Sequence, residues 1–346
     1  MKQMSALNEI NPRRIFVFLR EHIGDIVNST PALHCLRQRF PDAYLCVEVG
    51  DRAAGVLQNL PGIDEVWLRP KHQGLWGKIR FIWRLKRARF DLAVVLELHN
   101  DMAFHAWLAG IPVRVGVSRK RKFERFYTGV VRHSLTEHDT LDHYRKVVEL
   151  LGCDTTDYRP RLYPTEADER HALQLLREAG YTGARPLIGI NPGASYPHRR
   201  WFPERFGQLV DALQQHGCDS VILGSPEDRH LTERILSSCQ HAPMVLTGKL
   251  SILQLAALMP HLSLLVTADT GPMHIAAAMG TRVLALYYGA AHPRHTGPFG
   301  NGHRIIRHPE PCEGCTQERC LHDNECMRRI RVEEVSQAVL QMLNGE

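Results

Sequence analysis

Short apolar runs alternate with stretches of helical periodicity along almost the whole chain. In the first half, 14–19 (RIFVFL), 43–49, 65–68, 91–96 and 113–117 have the length and continuity of buried strands. Helix-like stretches at 26–40, 51–60, 75–89 and 102–109 lie between them. In the second half, strand-like runs at 187–190, 220–223, 244–246, 263–267 and 282–286 are separated by helical patterns at 204–216, 227–239, 251–259 and 273–279. Ser251 followed three residues on by Gln254 is a capping box for one of these helices. This alternation predicts an α/β protein whose parallel sheets are joined by crossover helices.

The segment 153–186 carries Pro160, Pro164 and Pro186 and a polar helical pattern at 166–179, and reads as the join between two halves. With 346 residues the chain suits two domains of roughly 100–200 residues each. We therefore expect one Rossmann-like domain over 1–165 and a second over 166–330. The last helical pattern, 332–343, lies too far from the strand run to be its next crossover, and residues 331–346 are expected to pack back onto the first domain.

Rossmann-like domains bind ligands at the C-terminal ends of their strands, so the loops that follow strands carry the candidate chemistry. After the first strand, Gly24 permits a tight turn, and Asp25 sits near a helix start, as a cap or as a general base. After 187–190 comes Asn191-Pro192-Gly193-Ala194-Ser195, then Arg199 and Arg200; such a turn offers backbone N–H groups to a phosphate, and the arginines add charge. After 263–267 comes Asp269-Thr270-Gly271-Pro272-Met273-His274, where Pro272 suits a first helical turn and Gly271 admits close ligand approach. No G-x-G-x-x-G follows the first strand, Gly248-Lys249 lacks the rest of a P-loop, and neither H-E-x-x-H nor G-x-S-x-G occurs.

The net charge of +6 is unevenly spread: residues 1–150 hold 24 basic and 16 acidic residues, the remainder 19 and 21. An anionic partner is thus expected on the first half. Basic–aromatic stretches stand there at 76–89 and at 119–126, the second containing Arg119, Lys120, Arg121 and Lys122; each suits an anionic membrane surface or a solvated face. No nucleic-acid module is recognisable, and no nucleic-acid partner is expected. No run reads as a membrane span, and MKQMSALNEINPRR lacks a signal-peptide core, so a cytoplasmic location is expected.

Five of nine cysteines are scattered, but Cys312, Cys315, Cys320 and Cys326 crowd together. Four thiolates at this spacing are a ligand set for a structural tetrahedral zinc; reduced structural thiols are the alternative, and disulfides are disfavoured in a reducing compartment.

Three motifs in order are Gly24-Asp25-Ile26-Val27 with Thr30-Pro31-Ala32-Leu33, Asn191-Pro192-Gly193-Ala194 with Trp201 and Pro203, and Asp269-Thr270-Gly271-Pro272-Met273-His274 running into Ile275-Ala276-Ala277-Ala278. Leu286-Tyr287-Tyr288-Gly289 and Pro293 follow. Through them the chain resembles glycosyltransferase family 9, the heptosyltransferases of lipopolysaccharide inner-core assembly, over about residues 14–343. The resemblance implies a GT-B architecture, two Rossmann-like domains facing a cleft, with acceptor on the first and sugar nucleotide on the second. It implies inverting transfer, usually from ADP-L-glycero-β-D-manno-heptose, with Asp25 as general base and no metal needed for the chemistry. Donor contacts are expected at Asn191, Gly193, Ala194, at 269–274, and at Arg199 or Arg200, where family members often carry a lysine. Acceptor contacts are expected at Arg20, Gly24 and the run 119–122, facing the phosphates and carboxylates of an anionic glycolipid at the inner face of the cytoplasmic membrane. The alternatives are another nucleotide sugar, a different acceptor, or a non-catalytic nucleotide-binding protein.

Overall fold

The computed structural model describes residues 7–69, 74–96, 101–133, 140–309, 312, 314–316 and 318–345. The chain divides into two compact units, 1–161 and 162–346.

In the first unit, β1 (Arg14–Phe18), β2 (Tyr44–Gly50), β3 (Glu65–Arg69), β4 (Leu92–Val95), β5 (Val113–Ser118) and β6 (Gly129–Arg132) form one sheet of order β3-β2-β1-β4-β5-β6. Every pairing in it is parallel. Its central strands are buried on both faces, which is why β1 and β4 read as unbroken apolar runs instead of alternating ones. Helices α1 (Ile23–Arg39), α2 (Leu75–Ala88), α3 (Asp101–Leu108) and α4 (Thr140–Glu149) accompany it. On one side Phe16, Phe18, Trp67 and Phe90 form an aromatic core with Phe81 of α2 packed against it.

In the second unit, β7 (Leu187–Asn191), β8 (Asp219–Ile222), β9 (Met244–Val245), β10 (Leu264–Ala268), β11 (Val283–Tyr287) and β12 (Arg304–Arg307) form a sheet of order β12-β11-β10-β7-β8-β9. It is again parallel throughout and, read from its other edge, has the same order as the first. The accompanying helices are α5 (Glu166–Glu178), α6 (Pro203–Gln215), α7 (Arg229–Leu236), α8 (Ile252–Leu258), α9 (Gly271–Ala278), α10 (Pro293–Thr296), α11 (Glu325–Arg329) and α12 (Val332–Asn344). Ser251 and Gln254 do form a capping box at the start of α8.

Four details differ from the sequence reading. Strands β6 and β12 were not expected; each is a four-residue, partly exposed edge, too short and too weakly apolar to stand out. Residues 51–57 form a 3-10 turn, not an α-helix. Gly24 does not make the turn after β1, because the helix already begins at Ile23 and the reversal is completed by Arg20–His22. The C-terminal helix α12 packs on α6 of the second unit, not on the first. Its apolar face, Val335, Ala338, Val339 and Met342, is buried. The chain leading to it is pinned there by Trp201 Nε1, which donates to Ile330 O at 3.1 Å, and by Arg205, which donates to Arg328 O and Ile330 O.

Candidate functional site

In a sheet of this strand order the chain leaves adjacent central strands in opposite directions, and the crevice at their C-terminal ends is where such folds bind ligands. That seam lies between β1 and β4 in one unit and between β7 and β10 in the other. Asp25 follows β1, the Asn191 turn follows β7, and Asp269 follows β10.

In the first unit the N-cap of α1 is His22, and no side chain caps the helix. Asp25 is therefore not the cap. It stands in the first turn, where the helix dipole favours a carboxylate, and its Oδ1 accepts from Arg20 Nη1 at 2.7 Å. Both side chains are partly exposed, at 17% and 18%. Among the described residues Asp25 Oδ2 has no hydrogen-bond partner, so one carboxylate oxygen is anchored and the other is available to a substrate. Gly24 is buried within the same turn. Thr30, from the adjoining motif, is structural: its Oγ1 donates to Val27 O and accepts from Arg161 N at 2.9 Å. Arg69, which the sequence reading missed, braces the loop after β1 by donating to Leu19 O at 2.7 Å while pairing with buried Glu48 at 3.0 Å. Arg119, Lys120, Arg121 and Lys122 are all exposed, just past the end of β5.

In the second unit Asn191 is buried, and its Nδ2 donates to Thr267 Oγ1 at 3.1 Å, with Gly193 O at 3.3 Å and Thr270 Oγ1 at 3.5 Å also in reach. One amide thus ties the β7 loop to the β10 loop. Thr267 was also missed, although a polar residue at a fully buried strand position was a visible signal. Thr270 is the extended N-cap of α9, and no side chain caps that helix. Asp269 does not cap it, and accepts from Thr296 Oγ1 at 3.0 Å. The uncapped first turn keeps its partial positive charge, a suitable seat for an anion. Met273, His274, Ile275, Ala276 and Ala277 are buried, and the small Ala276 and Ala277 let α9 lie close against β10 and β11.

Gly193 has a steric reason beyond any ligand: a Cβ there would lie 2.6 Å from Asp228 Oδ1. Asp228 closes a capping box with Ser225. The two adjacent arginines, equivalent in sequence, do different things. Arg200 donates through Nε and Nη2 to Ala194 O, at 3.1 and 3.0 Å, and so shapes the turn. Arg199 lies over the rings of Tyr196 and Tyr288, 4.9 and 5.1 Å from their centroids, and this cation–π cradle fixes its guanidinium. Burial pushes the Tyr288 phenol up to about 12, opposed by the Arg199 charge. Tyr288 therefore stays neutral at physiological pH.

Among the described residues no helix is long and apolar enough to cross a membrane. The family model "Glycosyltransferase family 9 (heptosyltransferase)" matches residues 78–325. The chain is 25% identical over 306 residues to the lipopolysaccharide core heptosyltransferase OpsX of Haemophilus influenzae, covering 85% of this chain and 84% of that protein. It is 27% identical to lipopolysaccharide heptosyltransferase 3 of Escherichia coli, covering 79% and 82%. Its fold is similar to that of a glycosyl transferase family 9 protein from Veillonella parvula, with TM-score 0.83, 26% identity and coverage of 98% and 99%. It is also similar to that of the E. coli ADP-heptose lps heptosyltransferase II, with TM-score 0.75, 22% identity and coverage of 96% and 99%.

Proposed function

The chain belongs to glycosyltransferase family 9 and is a glycosyltransferase of GT-B fold, and from that premise we propose that it transfers heptose from ADP-L-glycero-β-D-manno-heptose to a lipopolysaccharide inner-core acceptor. The observation that carries the donor half is the uncapped start of α9 joined through Asn191 to the β7 loop. It offers a diphosphate the positive end of a helix, the turn amides near Gly193 and Ala194, and one cation. Arg199 is that cation, its guanidinium set by the rings of Tyr196 and Tyr288, while Arg200 shapes the turn through Ala194 O. The relatives named as lipopolysaccharide heptosyltransferases support heptose and this acceptor, and the E. coli structure named for ADP-heptose supports the donor.

In the reaction Asp25 Oδ2 takes the proton of an acceptor hydroxyl as its oxygen attacks the anomeric carbon from the face opposite the leaving group. The new glycosidic C–O bond forms, the bond to the phosphate oxygen breaks, ADP leaves, and the configuration inverts. Arg20 positions Asp25 through the 2.7 Å pair. Leaving-group charge is met by helix amides and Arg199, so the chemistry is electrostatic stabilisation without a metal.

The acceptor's phosphates and carboxylates suit the exposed run at 119–122. Helix α2 supports membrane proximity. Phe81, Ile82 and Leu85 face the core, while Leu75, Trp76, Ile79 and Trp83 are exposed, Trp76 by 81%. Lys78, Arg80, Arg84 and Arg87 lie beside that outward apolar stripe. An apolar stripe with basic flanks is the composition that docks on an anionic bilayer. The enzyme then works at the inner membrane face.

The test incubates the protein with ADP-, UDP- and GDP-sugars and a heptose-deficient lipopolysaccharide acceptor. Heptose transfer from the ADP-sugar is expected. Turnover with a UDP- or GDP-sugar instead assigns the other donor class, and no turnover with any donor overturns the enzyme reading of this site.

A further inference from the structure

The donor site accounts for none of the four clustered cysteines, yet the structure gathers them. Cys312, Cys315, Cys320 and Cys326 line one small cavity together with His198 and Tyr288. Its volume, about 10 Å³, is the size for a single water or ion and far too small for a metabolite. Cys312 shares that cavity wall with Cys315 and Cys326. Two sulfurs also receive backbone donors: Leu321 N–H points to Cys315 Sγ and Asn324 N–H to Cys320 Sγ, each at 3.3 Å. The second contact is made where Asp323 and Asn324 are both left-handed, a conformation that Asp and Asn adopt more readily than other non-glycine residues. Backbone amides thus fix two of the four sulfurs around this one small cavity.

We infer that these four cysteines form a structural tetrathiolate metal centre of the zinc type that props the loop after β11 beside the Arg199 cradle. Thiolate sulfur is the preferred donor for zinc, and a closed set of four is a structural site. Among the described residues no three His, Cys, Asp or Glu side chains form a ready-made metal site, so binding has to draw the thiols together, with release of their protons to solvent. Four thiolates and a divalent ion leave net negative charge, and Arg319 on the same cavity wall offsets it.

The position of the centre gives it a consequence. A Cβ at Gly289 would overlap Cys312 Sγ, so the cysteine loop presses directly on the chain just after Tyr288. Arg307 holds Gly289 O from the other side, through Nε at 3.2 Å and Nη2 at 2.5 Å. Tyr288 is one ring of the Arg199 cradle and also lines the cysteine cavity. Loss of the metal therefore loosens the ring that places Arg199. This second step, unlike the metal site itself, rests on the donor reading above.

The experiment measures metal content of the full-length protein, purified without metal-affinity resin, by mass spectrometry. Cys315→Ser and Cys326→Ser are compared with Cys239→Ser, which lies outside the cluster. Cobalt(II) substitution of the wild type reads the coordination directly, without any variant having to fold. Near-stoichiometric zinc, lost in Cys315→Ser and Cys326→Ser but not in Cys239→Ser, with tetrahedral thiolate bands in the cobalt form, is the expected result. A folded, metal-free wild type, or a disulfide within the cluster, overturns the site. Iron in place of zinc keeps the tetrathiolate and overturns the choice of metal. ADP binding by titration is then compared with and without metal. A several-fold weaker affinity of the metal-free form supports the link to Arg199. Unchanged affinity removes the link and leaves the metal site standing, and no ADP binding by either form counts against the donor reading alone.

Discussion

Asn191 and Thr267 close the seam between β7 and β10, the amide donating to the hydroxyl at 3.1 Å with both side chains buried. Neither group has solvent to fall back on. Replacing Asn191 by Ala removes the tie and leaves Thr267 Oγ1 only its contacts with Ala268 O and Thr270 Oγ1, at a cost of about 0.5–1.5 kcal/mol. Denaturant unfolding should show that loss, and the ADP dissociation constant should rise with it, because the two loops are no longer tied. An Asn191→Ala variant that is less stable but binds ADP normally would separate the tie from the donor site.

Asp25→Ala should lower kcat by about 10²–10⁴-fold, the usual contribution of a positioned general base. ADP binding should be unchanged, since Asp25 and the donor loops belong to different units. Arg20→Ala should give a smaller loss, and Arg20→Lys should recover part of it. Equal turnover by Asp25→Ala and wild type removes Asp25 from its role.

The neighbouring arginines should separate cleanly. Arg199→Ala loses a charge-assisted contact worth about 1.5–3 kcal/mol and should weaken ADP binding about tenfold or more, with a smaller loss of stability from the lost packing on Tyr196 and Tyr288. Arg200→Ala releases Ala194 O, so it should lower the melting temperature as well as the affinity. Isothermal titration and thermal melts on the two variants decide it, and the reverse pattern would exchange their roles.

Trp76→Ser with Trp83→Ser should abolish sedimentation with anionic vesicles while leaving the melting temperature unchanged, because both rings are exposed. Arg84→Glu with Arg87→Glu should weaken the same binding by about 1 kcal/mol per removed charge, or more with reversal, and should make it less salt-dependent. Wild-type protein that ignores anionic vesicles altogether would refute the docking face.

Much of this was legible in the chain because parallel strands buried on both faces announce themselves as apolar runs. The β1, β4, β7, β10 and β11 runs were found within a residue or so of their ends. Edge strands lack that signature, which is why GVVR and RIIR passed unnoticed. The loops with chemistry were found by their place after strands, but the work of each residue within them was not. Arg199 and Arg200 are the same residue type in adjacent positions, and only the three-dimensional path of the turn sends one to a carbonyl and the other between two rings. Gly24 looked like a turn and is part of a helix, because a glycine's freedom permits a turn without requiring one. The final helix was misplaced for a related reason: its apolar face is plain in sequence, but the partner that covers it is chosen by Trp201 and Arg205, more than 120 residues earlier.

The repeated strand order has a consequence for how such enzymes diversify. Each unit is a complete sheet with its own crossover helices, and the loops proposed to meet acceptor and donor grow from separate sheets. Mutations that reshape the run at 119–122 leave the Asn191–Thr267 tie intact, and mutations around Arg199 leave the Arg20–Asp25 pair intact. One lineage can therefore acquire new acceptors while keeping its donor, each trait drifting on its own scaffold.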